Sequence, residues 1–307
     1  MSDETHYTIQ RKMVILLALI TIFLFITRIL FNIFEFPLLL DGSRDVDFKI
    51  LLEGLKNGLV HFYDPVPVPP GVPDWPPYYL YFWYFLFYPM SLFPFEVGVY
   101  IWDVLRLITS SYIVLKGFKI IKNRTNLKWF YFTMGVGFFI DGWYNNCNFL
   151  IVFFLLLSYT SLEKDKMWVS GIFFAFSTIK INSILFIPVL LLAKKIKVKD
   201  LIYYVLPIIL LCLPYIIFPD YLLQMLDNWT DTTPGIQGLT FLDPIIWKAV
   251  QPSHLMFLGF MAIIIFESLE KYKKRDQIRN ALVLILIAFY IYISIVVIIL
   301  PSIFSPI

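Results

Sequence analysis

Apolar runs with few charges recur along the chain, separated by short stretches that are charged or rich in proline. They cover 13–35, 97–118, 129–141, 148–162, 168–193, 200–218, 254–269 and 281–301. A bilayer core takes about 20 apolar residues per spanning helix. A transmembrane β-barrel would alternate apolar and polar positions, and these runs do not. The pattern predicts an all-α, polytopic integral membrane protein. Residues 1–307 read as a single membrane domain of about nine transmembrane helices.

Two stretches do not read as ordinary single spans. Segment 78–93 holds Tyr78, Tyr79, Tyr81, Trp83, Tyr84 and Tyr88, and it is broken by Pro89 and Pro94. Tyr and Trp prefer the membrane–water interface, so this segment is expected to lie in or dip into the outer leaflet, with 97–118 as the true crossing. Segment 168–193 contains Lys180, which is costly at mid-membrane depth unless it lines a wet cavity. Two short helices hinged near Lys180-Ile181-Asn182 would put that lysine near a membrane face.

Charge placement supports both readings. Basic residues gather in three short loops: Lys116 to Lys128, Lys194 to Lys199, and Lys271 to Arg279. The positive-inside rule puts all three in the cytoplasm, together with Arg11 and Lys12 at the N-terminus. Two acid-rich segments, within 37–96 and 220–252, then become external loops, and the helices at 254–269 and 281–301 close the chain. An amphipathic helix is expected over Phe48 to Leu55, whose apolar residues fall at helical spacing, with Asp47 near its N-terminus.

Composition agrees with the membrane assignment. Of the 307 residues, 59% are hydrophobic, 19% aromatic and only 15% charged, and mean hydropathy is +0.76. The net charge of +3 suggests no nucleic-acid partner. Cys147 and Cys212 are too few for a disulfide framework and read as small buried hydrophobes. The first apolar run is too long for a cleavable signal peptide. No GxGxxG, P-loop, HExxH or CxxC pattern occurs.

This topology gathers the conspicuous polar residues at the external face. They are Asp45 and Asp47 after the first helix, the stretch Asp141 to Asn146 after the third, and Lys180 at the hinge. A carboxylate can take a proton from a hydroxyl acceptor, and a lysine can neutralise a departing phosphate. His254 and Lys248 are further external candidates for a phosphate. Asp141, Asn145, Asn146, Tyr63 and Trp75 could hydrogen-bond a sugar or its acceptor. Asp45 and Asp47 form a D-x-D pair that could hold Mg²⁺ or Mn²⁺, since hard oxygen ligands suit these ions; no other cofactor is implied. Arg28 and Asp103 should lie at similar depth and are expected to pair, with Arg106 one turn on. Asn228-Trp229-Thr230 is an N-glycosylation sequon, the aromatic–proline run 62–95 could bind a polyprenyl chain, and loop 227–243 resembles a lid.

Several motifs together carry a resemblance. They are Asp45-Val46-Asp47-Phe48, then Gly58 and Phe62-Tyr63-Asp64-Pro65, then Trp75-Pro76-Pro77-Tyr78, and Pro89 with Leu92-Phe93-Pro94. They resemble the first external loop of GT-C glycosyltransferases, in particular the polyprenyl-phosphate-sugar transferases of family 87, and are similar to that of GPI-anchor mannosyltransferases. Gly142-Trp143-Tyr144-Asn145 sits where such proteins carry Gly-Gln-x-Asn, with Trp143 in place of the glutamine. Ile179-Lys180 followed by Pro188 looks like the family's Ile-Lys element.

The resemblance implies an inverting transfer of a hexose, mannose foremost, from a polyprenyl- or dolichyl-phosphate donor. The acceptor would be a lipid or glycan on the external or lumenal face, and a loop acid the base. Asp47 is the first candidate and Asp45 the second. Alternative readings are a lipid-linked-sugar transporter, and a non-catalytic membrane subunit. A helix count small for the superfamily leaves room for a membrane protein partner.

Overall fold

The computed structural model describes residues 3–34, 45–66, 77, 79–231 and 255–268. Trp75, Lys248, His254, the span at 281–301 and the basic loop 271–279 lie outside the described residues. The described chain is helical: α1 (Asp3–Phe34), α2 (Val46–Lys56), α3 (Phe82–Phe87), α4 (Phe95–Ile120), α5 (Arg124–Tyr144) and α6 (Asn148–Leu162) come first. They are followed by α7 (Met167–Ser177), α8 (Phe186–Leu192), α9 (Ile202–Leu211), α10 (Pro214–Ile217), α11 (Pro219–Asp231) and α12 (Leu255–Ser268).

Tyr7–Phe34 and Phe95–Ile120 are long and apolar enough to cross a membrane. The apolar helices Asn148–Leu162, Met167–Ser177 and Leu255–Ser268 are shorter, so among the described residues two of the about nine expected transmembrane helices reach spanning length. On α1, Leu19, Ile22, Phe23 and Ile33 are more than half exposed. An apolar face of that size requires a nonaqueous neighbour.

Local chemistry moves several boundaries. The Asn123 side chain accepts from the Thr125 and Asn126 amides (2.8 and 3.3 Å), so α5 starts at Arg124 rather than at 129. It runs on through Asp141 to Tyr144 before Asn145 adopts the left-handed conformation. The stretch expected to be an external polar loop is thus largely the last turn of a helix. Likewise α11 occupies the start of the expected lid.

Segment 78–93 contains the short α3 followed by a 3₁₀ turn, Tyr88–Leu92. At ~1.5 and ~2.0 Å rise per residue, the two together fall well short of a ~30 Å bilayer core. Its aromatics divide: Trp83 and Tyr81 are fully buried, with Trp83 packed on Phe87, Phe154 and Phe176, whereas Phe85 and Tyr88 stay exposed. Trp102 of α4 is the neighbouring anchor, ringed by Phe48 of α2, Phe87 of α3 and Phe149 of α6.

The chain breaks after Ser177, and a 3₁₀ turn (Ile181–Leu185) leads into α8. The strand of backbone returns to where it began. Lys195, after α8, bonds Glu163, before α7, at 2.7 Å. At the same end Glu267 of α12 accepts from the Lys122 amide (3.3 Å) and the Asn126 side chain (2.7 Å) of the α4–α5 turn. Tyr159 lies within electrostatic reach of Lys195, Glu163 and Glu267. One end of the bundle therefore collects the exposed Lys116, Lys119, Lys122, Arg124, Lys164, Lys194 and Lys197. The Asn145–Cys147 turn and Lys180 lie toward the other.

Close helix contact sets the spacing of the α6–α7–α9 layer. Ser170 bonds Ser158 of α6 (3.0 Å) and Tyr204 of α9 (2.9 Å). Beside it, a Cβ on Gly171 would overlap the Tyr203 carbonyl oxygen, a backbone atom that cannot step aside. Overpacking a tight contact costs about 1–3 kcal/mol. Gly171→Val is expected to lower the unfolding temperature in detergent by several degrees, whereas Ile172→Val on the exposed face leaves it unchanged. Equal melting of the two variants would contradict this contact.

Candidate active site

The site begins with a buried circuit of charges. Arg28, near the end of α1, donates Nε and Nη2 to the two carboxylate oxygens of Asp45 (2.9 and 2.7 Å). Its Nη1 donates to Asp103 Oδ2 on α4 (2.7 Å). Asp103 Oδ1 accepts from Arg106, one turn on. Arg106 in turn donates to the Asn145 side-chain oxygen and sets its Nε 3.3 Å from Asp141 Oδ2. Asn145 closes the ring by donating to Asp45 Oδ1 (3.0 Å). All six side chains are buried. Charges at that depth persist only when paired and hydrogen-bonded, which is why the expected Arg28–Asp103 pair forms and Arg106 joins it.

The α5–α6 turn is built on this circuit. Asn145 has φ 55°, a conformation that glycine usually supplies. Asn146 follows with every polar group engaged. Its amide N–H donates to the Asp141 carbonyl (2.9 Å), and its carbonyl accepts from the Trp102 indole (3.3 Å). Its side-chain oxygen accepts from the Cys147 amide (2.7 Å), and its side-chain nitrogen donates to Asp47 Oδ2. Asp141 Oδ1 accepts from the Asn148 amide at the start of α6 (3.2 Å).

Asp47 sits in the first turn of α2. Asp45, Asp103 and Asp141 are buried, and Asp47 is half-buried. Desolvation raises its carboxyl above the ordinary carboxylate range, opposed by the charge of Lys180 and the Asn146 hydrogen bond. Lys180, at the α7–α8 break, also faces Asp141 and Cys147. Asp45, Asp47, Asp141, Asn145, Asn146 and Lys180 are therefore brought together, from three separate stretches of chain.

Other expected site residues fall elsewhere. Tyr63 donates its hydroxyl to the Tyr79 carbonyl (2.7 Å) and shares a bond with the Tyr215 hydroxyl (2.7 Å). Tyr215 also accepts from the Tyr81 amide (3.0 Å). At 3% exposure, Tyr63 pins the first loop to α10 and has no hydroxyl to offer a sugar. Nothing in its sequence context distinguishes Tyr215 as the other half of that lock. The D-x-D pair does not fit a metal: both Asp45 oxygens are committed to Arg28, and Asn145 takes one of them again. Among the described residues no group of three His, Cys, Asp or Glu side chains could hold an ion. Asn228 is equally committed, donating to the carbonyls of Tyr63 (2.8 Å) and Pro77 (3.0 Å) from within α11.

Removing Arg28 would leave two buried acids without their main partner, a loss of about 3–5 kcal/mol. Arg28→Ala is expected to collapse the thermal stability of the protein in detergent, while Lys49→Ala has little effect. A second expectation concerns the sequon. In a glycosylating host, Asn228→Gln should leave gel mobility unaltered, because the wild-type amide is already bonded inside the fold; a mobility shift would contradict that.

A family model described as Glycosyltransferase family 87 matches residues 78–301, most of the chain. The match begins after the first-loop acids. No curated protein and no solved structure was found to match. The apolar helices and the matched family agree on a membrane protein, and the chain belongs to glycosyltransferase family 87.

Proposed function

We propose that this glycosyltransferase moves a hexose, mannose foremost, from a polyprenyl- or dolichyl-phosphate donor to a hydroxyl acceptor on the external or lumenal face, with inversion. One observation carries the assignment of the base. Of the two first-loop acids, Asp45 is consumed by Arg28, and Asp47 keeps an exposed part at the same place where Lys180 brings its charge.

Asp47 accepts the acceptor's hydroxyl proton as the oxygen attacks the anomeric carbon. The bond from that carbon to the lipid phosphate breaks, and Lys180 neutralises the charge left on the leaving phosphate. Asn145 and Asp45 act indirectly, by holding the turn on which Asp47 depends. No step requires a metal at the D-x-D pair. The positive-inside rule supports the external side for Asp47, because most of the exposed lysines gather at the opposite end.

Transfer of labelled hexose from a synthetic polyprenyl-phosphate donor tests this. Losing a general base costs about 10²–10⁴-fold, so Asp47→Asn should reduce turnover by that much. Its fold should not suffer. The native protein holds the Asp47 proton more tightly than the unfolded chain does. That contribution is complete below the unfolded pKa and is lost as pH rises through the raised folded value. Near neutral pH, Asp47→Asn should melt no lower than wild type. Asp45→Asn should also lose activity, but through a lower melting temperature. Wild-type transfer should rise with pH on an acidic limb lying above the ordinary carboxylate range. Full turnover in Asp47→Asn would remove the assigned base.

A further inference from the structure

Asn146 was expected among the residues that bind sugar or acceptor. Its geometry says otherwise. Both halves of its side-chain amide are used within the protein, the oxygen by the Cys147 amide and the nitrogen by Asp47 Oδ2. Its backbone is fixed at both ends, by the Asp141 carbonyl and the Trp102 indole. The residue is 1% exposed, and the left-handed Asn145 before it is tied to Arg106 and Asp45. A side chain held at both polar atoms has a fixed orientation, and one of its two amide N–H groups is aimed at the carboxylate of α2.

We propose that Asn146 is a positioning residue for the transfer reaction. It holds the Asp47 carboxylate at one oxygen, so that the other faces the acceptor hydroxyl. This rests on the reading of Asp47 as the base. A hydrogen bond to the charged form of an acid favours that form. Asn146 thus orients the base and helps keep it ionised inside a desolvating site. The other groups facing Asp47 are Lys180 from the α7–α8 break, Asp141 and Tyr144 from α5, and Cys147 from the turn. Of these, Lys180 also favours the ionised carboxylate, and Asn146 adds the directed bond.

The test is the pH profile of hexose transfer in full-length protein, for wild type, Asn146→Ala, Asn146→Asp and Asn146→Gln, with Asp47→Asn as reference. Asn146→Ala should move the acidic limb to higher pH and lower kcat about 10- to 100-fold at neutral pH, with acceptor KM changed by less than about threefold. Asn146→Asp, which sets a second carboxylate against Asp47, should move the limb further. Asn146→Gln, which keeps an amide donor, should recover part of the rate and return the limb toward wild type. The carboxyl band of Asp47 in infrared difference spectra, identified by its loss in Asp47→Asn, should titrate at higher pH in step with the limb. If Asn146→Ala does not fold, the Asp and Gln variants carry the same comparison. A raised KM with an unmoved limb would make Asn146 a ligand-binding residue and overturn the proposal. An inactive Asp47→Asn beside an unmoved limb would sink the positioning role alone. An active Asp47→Asn would overturn the base, and this role with it.

Discussion

Everything at the polar end of this protein depends on two buried arginines. Arg28 and Arg106 lie inside a helix bundle where an unpaired guanidinium would not be tolerated. Between them they bind Asp45, Asp103, Asn145 and, at longer range, Asp141. All but the Arg106–Asp103 bond, which lies within one turn of α4, join different pieces of chain, so satisfying the charges also aligns α1, α4, α5 and the entry to α2. Planar forks suit this task better than a lysine could, because one guanidinium reaches two carboxylates in fixed directions.

That circuit separates two acids that stand two residues apart. Asp45 precedes α2 in a left-handed conformation and turns back to Arg28. Asp47 is inside the first turn of the helix and meets Asn146 and Lys180. A carboxylate gripped by a bidentate arginine is a poor proton acceptor. One held by a single amide and partly desolvated is a better one. The same D-x-D motif therefore supplies one acid bound by arginine and one held by a single amide, the acid proposed as the base.

The far side of the site is held differently, by aromatic rings and hydroxyls. Tyr63, Tyr79, Tyr81 and Tyr215 bind the first loop to α10 through hydroxyl and backbone bonds, and Asn228 of α11 seals the same loop. Burial drives the Tyr63 hydroxyl well above the usual phenol range, so it serves as a neutral donor. Residues whose types suggest recognition are here consumed by architecture.

The sequence by itself determined the solvent this chain requires, since its apolar runs and low charge fit only a bilayer. It also determined the clustering of most lysines in short loops, the break at Lys180, the pairing of Arg28 with Asp103, and the family of the chain. These follow from composition and from the cost of burying charge, which act locally. Tertiary structure alone decided which acid the arginine takes, because that depends on where Arg28 meets Asp45 across the fold. It alone decided that Asn146 faces Asp47, and that Tyr63 and Asn228 are already bonded. Each of these is a contact between residues distant in the chain, and spacing along one strand of sequence carries no record of such a meeting.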